Sequence, residues 1–263
     1  VLHREIDGSP KRSLGLTSAL LSRAKRRDIE AIRGLTDRPC SAISGNSSYT
    51  AARIGEVYGV EAGVLLPSVV SDEFPAKAGS DEPSESQDIA APYSVSVGRA
   101  SWVKGTWETI SMLTGSGVSL AHVGGGAAED LVRLTQHAES CGVGLWIAPR
   151  LSSPEMASLI RGARAVVSMA HGEPFGLTPV EAFSVGTPAL MVNEGGFRDS
   201  VIDGVNGRLL PRGDYGAWHL SLEQAADSGT RTLWAEAGRA RIVEMDLSPD
   251  AHCHRLESIL DRL

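Results

Sequence analysis

The stretch EPFGLTPVEAFSVGTPALMVNEGGFRDSVIDGVNGRLLPRGD, residues 173–214, decides the fold. It predicts a helix near 178–186 and then a buried strand, ALMV, at 189–192. A Gly-Gly turn follows this strand and begins a second helix near 197–203. The turn signal DGVNG at 203–207 leads to a short edge strand. Strands, Gly-rich turns and helices in direct succession are typical of an α/β protein.

The same alternation continues outward over residues 93–263. The predicted strands are 94–97, 119–123, 144–148, 165–169 and 189–192, and the predicted helices lie near 104–114, 127–140, 154–163, 178–186, 197–203, 215–228, 231–244 and 249–263. Short apolar runs between helical patterns favour parallel strands that are buried on both faces. We therefore expect an open, doubly wound parallel sheet of the Rossmann type, with its ligand outside the carboxyl ends of the strands.

The residues before this unit predict too few strands for a complete domain. They contain an amphipathic helix near 14–35, a short strand at 41–44, a helix near 47–58 and a short buried strand at 64–66. Segment 71–92 is rich in Pro, Ser, Asp and Glu, which is typical of a linker or a mobile surface loop. We therefore divide the chain into a partial domain at 1–70, a linker at 71–92 and a ligand-binding domain at 93–263.

The composition narrows the class of protein. Of the 263 residues, 42% are hydrophobic and 29 are glycines, whereas only 5% are aromatic, which favours an α/β protein over a β-sandwich. A net charge of −7 disfavours a nucleic-acid partner. No apolar run approaches the ~20 residues of a membrane span, and the first residues lack the features of a secretory signal. Three scattered cysteines, Cys40, Cys141 and Cys253, indicate neither a disulfide framework nor a zinc site, so we expect a cytoplasmic protein.

Two basic residues follow the first strand of the 93–263 unit. Arg99 and Lys104 stand next to Gly98, which lets a ligand approach the backbone closely. One interpretation is a clamp for a diphosphate, in which Arg99 is a forked donor and Lys104 a point charge. The alternative is a pair of solvated surface cations, and the residues alone favour this alternative.

The next two strands are followed by weaker signals. The glycines at 124–126 match part of a dinucleotide fingerprint, but Glu129 occupies the position of its last glycine, so we favour a tight structural turn. Arg150 and Leu151 follow the third strand, where their backbone is a candidate contact for a nucleobase. Ser153 and Pro154 have a sufficient explanation as the start of a helix.

The densest signal, HGEPFGLTPVEA at 171–182, follows the fourth strand. Thr178 and Glu181 match a capping box with Pro at the first helical position, which would explain Glu181 by structure alone. That pattern leaves Glu173 unexplained, because it is an acid in a Gly/Pro loop at the expected ligand edge. The free N–H groups at 177–179 predict an anion site.

This part of the chain resembles the carboxyl-terminal, donor-binding domain of retaining glycosyltransferases of family 4, which have the GT-B type of fold. Glu173 and Glu181 match the E-x7-E motif of that family. The flanking segments in the family's order are VGRASWVKG (97–105), HVGGG (122–126), SPEMASLIRGARAVVSMA (153–170) and, before the linker, SAISGNSSYTAARIGEVYGVEAGVLLPSVV (41–70). The resemblance implies a GT-B-like Rossmann donor domain at 93–263, preceded by an incomplete second Rossmann-like domain on the acceptor side. It also implies that a terminal helix at 249–263 crosses back to that first domain.

The resemblance assigns a role to each matching position. It implies that Arg99 and Lys104 bind the donor diphosphate, that Glu173 accepts hydrogen bonds from the sugar, and that Glu181 binds the ribose hydroxyls. It further implies that backbone groups of four residues meet the sugar and the β-phosphate: Phe175, Gly176, Leu177 and Thr178. His3 matches a histidine near the reacting sugar, although a histidine without a role is an equal alternative. The chain has no Asp-x-Asp motif, so we expect no metal and no cofactor, with the nucleotide sugar as substrate.

The activity implied is retaining transfer of a sugar from a nucleotide-diphosphate donor to an acceptor hydroxyl of a glycan, a lipid-linked molecule or a small molecule. The main alternative is a non-catalytic nucleotide-sugar-binding module or subunit, with a partner chain that supplies the missing domain. A nucleotide-sugar epimerase or a phosphorylase is a third, less supported alternative. The basic cluster at 23–27 is either a peripheral contact with anionic lipid or a solvated helix face.

Overall fold

The computed structural model of the chain describes residues 4–10, 14–69 and 89–263. His3 and residues 71–88, which are most of the predicted linker at 71–92, lie outside the described residues. The strands are β1 (Ser44–Gly45), β2 (Gly63–Val64), β3 (Tyr93–Val97), β4 (Ser119–Val123), β5 (Leu145–Ile147), β6 (Val166–Ser168), β7 (Ala189–Val192) and β8 (Gly207–Leu210). The helices are α1 (Leu14–Thr36), α2 (Ser48–Tyr58), α3 (Thr106–Leu113), α4 (Ala128–Cys141), α5 (Ser153–Gly162), α6 (Leu177–Ser184), α7 (Phe197–Ser200), α8 (Tyr215–Gln224), α9 (Ser228–Met245) and α10 (Pro249–Leu260).

Strands β3 to β8 form a parallel sheet of six strands in the order β5-β4-β3-β6-β7-β8. The chain builds one half outward from β3 and then returns to build the other half outward from β6. Strand order therefore reverses between β3 and β6, and a ligand of such a sheet binds in the crevice at that switch point. The expected open parallel sheet is confirmed, and β8 is the edge strand that the turn at 203–207 predicts.

The sheet is covered on both faces, which explains its apolar strands. Every residue of β7 is buried, and Val95 at the centre of β3 is fully inaccessible to solvent. Helices α3, α6 and α9 contribute large buried side chains to the same core, among them Ile110, Phe183 and Trp234. The core therefore holds the carboxyl ends of the strands in fixed relative positions, and the site residues follow those ends directly.

The segment before the linker contacts the same unit close to its ligand edge. Strands β1 and β2 pair in parallel as a separate ladder, and Ser47 caps α2 by accepting a hydrogen bond from Thr50 N at 2.9 Å. A small apolar cluster of Phe175, Val180, Met245 and Leu247 receives Leu66 and Val69 from this segment. At the end of the chain, His252 Nδ1 of α10 pairs with Leu66 O at 2.7 Å.

Two helix boundaries differ from the predicted ones for identifiable reasons. The helix expected near 104–114 begins at Thr106, because Trp102–Lys104 form a 3-10 turn that ends at Gly105. Gly105 has φ +63°, and a Cβ there would lie only 2.0 Å from Met169 O. The helix expected near 231–244 begins earlier, at Ser228, because Asp227 caps it by accepting from Thr230 N at 2.8 Å.

Candidate functional site

Lys104 and Glu173 meet at the switch point of the sheet. Lys104 follows β3, Glu173 follows β6, and Lys104 Nζ lies 2.6 Å from Glu173 Oε2. The Lys104 side chain is 35% exposed and the Glu173 side chain 17% exposed, so both remain accessible to a ligand. The aliphatic stem of the lysine passes over Gly98, where a Cβ would lie 3.3 Å from Lys104 Cδ. The structure therefore brings Gly98, Lys104 and Glu173 together.

A stacked ring pair joins the lysine-bearing turn to the acid-bearing loop. The indole of Trp102 stacks on the imidazole of His171, with ring centroids 4.2 Å apart and an interplanar angle of 20°. His171 N also donates to Val103 O at 2.7 Å. Since Trp102 begins the turn that ends at Lys104, these contacts hold the cation and Glu173 on one local framework.

The turn after β7 supports Glu173 from the other side. Gly196 N donates to Glu173 O at 2.7 Å, and a Cβ at Gly196 would lie 2.3 Å from Pro174 O. The backbone can approach this closely only because glycine has no side chain. Ser47, fully buried at the start of α2, donates its hydroxyl to Pro174 O. The loop of Glu173 is thus packed between the β7 turn and α2.

Glu181 lies in α6, the helix that follows the Glu173 loop. The capping box predicted for the start of this helix is wrong. Helix α6 begins at Leu177 with Gly176 as its N-cap at φ +83°, so Thr178 lies inside the first turn and caps nothing. Within residues 4–10, 14–69 and 89–263, the half-buried Glu181 carboxylate has no hydrogen-bond or ion-pair partner. Burial raises the pKa of this carboxyl above its usual value. The start of α6 leaves the backbone N–H groups of Leu177 and Thr178 free, whereas Pro179, within the predicted range 177–179, has no N–H to donate.

Four other predicted residues, all within the described chain, follow strand ends at this edge and form no hydrogen bond or ion pair with Lys104 or Glu173: Arg99, Arg150, Leu151 and Phe175. Arg99 and Arg150 are exposed, and in the described parts of the chain neither guanidinium forms a hydrogen bond or an ion pair. Leu151 packs against the main core, and Phe175 is buried in the small apolar cluster that receives Leu66 and Val69. The turn at 124–126 has the structural explanation that we favoured, since a Cβ at Gly124 would lie 2.5 Å from Gly98 O.

Three further residues support the site, and the sequence assigns no role to any of them: His171, Ser47 and Arg212. Arg212 follows β8 and donates from Nη1 to Met169 O at 2.7 Å, at the end of β6. The rule that directs attention to the ends of parallel strands would have found Arg212 if it had also been applied to the edge strand. His171 lies within the segment 171–182 that follows β6, but its stack on Trp102 and the hydrogen bond of Ser47 to Pro174 O join distant parts of the chain, which no local pattern indicates.

Other predicted features lie away from this edge. The basic residues at 23–27 are exposed on α1, where a groove of about 450 Å³ between α1 and α2 is lined by Leu21, Lys25, Val57 and Tyr58 among others. In the part of the chain that the structure describes, no three His, Cys, Asp or Glu residues are grouped so that they could hold a metal ion. None of the helices described has the length and apolar character needed to cross a bilayer.

Comparison with known proteins gives consistent matches. The sequence model of the family described as "Glycosyl transferases group 1" matches residues 81–241. A D-inositol 3-phosphate glycosyltransferase of Xylanimonas cellulosilytica is 30% identical over 191 residues, which cover 67% of this chain and 46% of that protein. The alpha-1,3/1,6-mannosyltransferase alg-2 of Neurospora crassa is 28% identical over 107 residues, or 40% of this chain and 23% of that protein. The chain thus spans less than half the length of these curated relatives.

Solved structures share the fold at low sequence identity. Anabaena Alr3699/HepE in complex with UDP and glucose has a TM-score of 0.75 at 19% identity, covering 90% of this chain and 67% of that one. Sucrose-phosphate synthase from Thermosynechococcus elongatus has a TM-score of 0.72 at 18% identity, covering 96% of this chain and 66% of that one. These likenesses confirm the expected GT-B-like α/β fold.

Proposed function

The chain belongs to the glycosyl transferases group 1 family, and from that premise we propose that it binds a nucleoside diphosphate sugar and transfers the sugar, with retention of configuration, to an acceptor hydroxyl. The observation that carries this proposal is the contact of Lys104 Nζ with Glu173 Oε2 at the switch point of the sheet. A nucleotide sugar carries its diphosphate and its sugar side by side. A cation and an acid in contact are therefore spaced to bind both parts of one donor.

The proposed roles follow from the charge that develops during transfer. Lys104 and Arg99 bind the diphosphate, and the N-terminus of α6 adds backbone N–H donors from Phe175 to Thr178. Because negative charge grows on the leaving phosphate, these fixed positive groups stabilise the transition state. Their number and placement support a reaction that needs no metal and no organic cofactor.

The two acids bind neutral hydroxyls in this proposal. Glu173 accepts hydrogen bonds from the sugar, and Glu181 accepts them from the ribose. The lack of a partner for Glu181 within the described residues supports the second role, because a buried carboxylate without a hydrogen bond is costly unless a ligand supplies one. In this proposal the backbone of Gly98, Arg150 and Leu151 lies along the nucleotide.

The bond changes are those of a same-face displacement. The acceptor oxygen bonds to the anomeric carbon on the face that the diphosphate leaves, and the bond from that carbon to the phosphate oxygen breaks with its electron pair. The leaving phosphate takes the proton of the acceptor hydroxyl. We place this reaction in the cytoplasm. One acceptor to test is a phosphorylated cyclitol, since a relative is named for D-inositol 3-phosphate.

Calorimetry with UDP, GDP, UDP-glucose and GDP-mannose tests donor binding. We expect one of the two nucleotides to bind, and its sugar to bind more tightly. The variant Lys104→Met should lose most of this affinity, whereas Lys25→Met, which changes an exposed lysine of α1, should keep it. Failure of the folded protein to bind either nucleotide would contradict the donor-site assignment.

A second candidate function is a nucleotide-sugar-binding subunit that a partner chain completes. The observation in its favour is that Gly98, Lys104 and Glu173, which the structure brings together, all lie in the unit at 93–263. Transfer measured with the purified chain separates the two candidates: nucleotide binding without transfer to any acceptor offered favours the subunit. Analysis of the sugar after incubation without acceptor would reveal an epimerase.

A further inference from the structure

All three nitrogen atoms of the Arg212 guanidinium form hydrogen bonds next to the Glu173 loop. Nε lies 3.0 Å from Glu194 Oε1, and Nη2 lies 2.8 Å from Glu194 Oε2, which is the forked pairing of an arginine with a carboxylate. The same guanidinium donates from Nη1 to Met169 O at 2.7 Å and from Nη2 to Ala170 O at 3.3 Å. The side chain is only 23% exposed.

These contacts tie together the ends of three neighbouring strands. Arg212 follows β8, Glu194 follows β7, and the two carbonyls belong to the residues that follow β6 on the way to Glu173. Glu194 also precedes the Gly195-Gly196 turn, whose backbone packs directly against Glu173 and Pro174. The guanidinium therefore restrains the Glu173 loop directly, through its carbonyls, and indirectly, through the β7 turn.

A fourth element joins through Glu108 of α3. Glu108 Oε2 lies 3.5 Å from Arg212 Nη1, and Glu108 Oε1 lies 2.9 Å from His171 Nε2. His171 is stacked on Trp102, so the network reaches the turn that carries Lys104. The Arg212 guanidinium hydrogen bond also holds the pKa of Glu194 below its usual range, which keeps this partner ionised.

We propose that Arg212 is a positioning residue that sets the sugar-binding geometry of Glu173 without touching the donor. This inference rests on the proposed function. Lysine cannot replace arginine here, because one ammonium cannot span both carboxylate oxygens and two carbonyls in a fixed plane. Loss of the guanidinium frees the carbonyls of Met169 and Ala170 and the β7 turn. The turn that carries Lys104 keeps the hydrogen bond from His171 N to Val103 O and the stack of Trp102 on His171, so diphosphate binding is retained.

A purely structural role and a positioning role predict different binding data. If Arg212 had a structural role only, Arg212→Lys would lower the melting temperature and would weaken the binding of nucleotide and of nucleotide sugar by the same factor. With a positioning role, the affinity for UDP or GDP alone stays within about twofold of wild type. The additional affinity gained from the sugar, measured as the Kd of UDP over that of UDP-glucose or of GDP over GDP-mannose, then falls by about tenfold.

Arg208→Lys is the matched control, because Arg208 lies in β8, shortly before Arg212, and forms an ion pair away from the site. Its Nε lies 2.8 Å from Asp203 Oδ1, and its Nη1 lies 3.0 Å from Gln224 Oε1. We expect this variant to keep the wild-type ratio of nucleotide to nucleotide-sugar affinity. A fall of that ratio in Arg208→Lys equal to the fall in Arg212→Lys would overturn the positioning role.

The wild-type and variant data separate the two levels of the proposal. A wild-type protein that binds neither UDP nor GDP overturns the proposed function, and the inference with it. A wild-type protein that gains affinity from the sugar, with an unchanged ratio in Arg212→Lys, overturns the inference alone. If Arg212→Lys does not fold, Glu194→Gln decides by the same ratio, since it removes the charged half of the fork and keeps the carbonyl contacts. A lowered ratio supports positioning, and a wild-type ratio overturns it.

Discussion

Lys104 Nζ lies 2.6 Å from Glu173 Oε2, so a cation that follows β3 and an acid that follows β6 close the crevice where the strand order of the sheet reverses. The pair is partly exposed, and such pairs contribute only about 0–1 kcal/mol to stability. Breaking it to admit a ligand therefore costs little. A donor that enters the crevice replaces one contact by two, with its diphosphate against Lys104 and its sugar against Glu173.

Glu173→Gln should impair the use of the sugar more than the binding of the nucleotide. A hydrogen bond to a charged group contributes about 1.5–3 kcal/mol. We therefore expect sugar transfer, measured as the rate at which nucleoside diphosphate is released from the donor, to slow by about 10- to 100-fold. Affinity for the nucleotide alone should stay close to that of wild type. Glu236→Gln, at an exposed position of α9, is the control and should behave as wild type. Equal losses in nucleotide and sugar binding would contradict the role of Glu173.

Arg99→Ala should weaken nucleoside diphosphate binding without destabilising the protein. The Arg99 side chain is exposed and has no ion-pair partner in the described parts of the chain, so its removal costs the fold almost nothing. We expect about tenfold weaker binding by calorimetry, which is about 1.4 kcal/mol. Arg239→Ala removes a comparably exposed guanidinium from α9 and should bind as wild type. Unchanged affinity in Arg99→Ala would return Arg99 to a solvated surface cation.

Glu181→Gln should make the unliganded protein more stable and its nucleotide binding weaker. Burial raises the pKa of Glu181, so the folded state favours the protonated form. The folding free energy is therefore most favourable below the usual pKa of a glutamate, and stability is lost as the pH rises through the folded-state pKa. At pH 7 the variant should melt at a higher temperature than wild type, and the difference should shrink toward pH 4. A variant that melts lower at pH 7 would contradict this account.

His122 should make the opposite contribution to the pH dependence. It is buried in β4 with Nδ1 2.9 Å from Ser96 Oγ, and burial lowers its pKa to about 4. Because the folded state favours the neutral imidazole, its contribution to stability is present above the usual histidine pKa and is lost as the pH falls from about 6.5 to about 4. His122→Leu should reduce the slope of the unfolding free energy against pH in this window, as measured by denaturant titrations at several pH values. An unchanged slope would exclude His122 as its source.

The sequence predicts the sheet well because each strand is a local pattern. The runs at 94–97, 119–123 and 189–192 are short and each contains aliphatic residues, and Gly-rich segments mark where they end. The start of α6 was misjudged for a related reason: T-P-x-E satisfies a local capping rule, but Gly176 in the left-handed region lets the helix begin at Leu177. A positive φ at one glycine decided the boundary, and no propensity rule detects it.

Only those site residues that follow a strand could be predicted from the sequence. Lys104 and Glu173 follow strands that meet in the sheet, so topology brings them together once the parallel order is assumed. The supports of Glu173 come from elsewhere: Ser47 from the segment before the linker and Arg212 from the edge strand. Their contacts depend on how α2 and β8 pack against one loop, which the sequence of that loop does not encode.

Gly196→Ala should distort the Glu173 loop while leaving the rest of the fold intact. Gly196 has an ordinary φ of −76°, so alanine suffers no backbone penalty, but its Cβ would lie 2.3 Å from Pro174 O and 2.6 Å from Phe175 Cα. Overpacking of this kind costs about 1–3 kcal/mol, which is a loss of several degrees in melting temperature.

The control for this variant is Gly213→Ala, next to Arg212, where a Cβ would have no atom within 4 Å. It should change the unfolding free energy by no more than about 0.5 kcal/mol and leave donor binding as in wild type. For Gly196→Ala we expect the sugar-dependent part of donor affinity to fall with the melting temperature, because the same backbone contact supports both. If Gly196→Ala lowered the melting temperature and kept the full gain in affinity from the sugar, the loop of Glu173 would not be the part of the site that recognises the sugar.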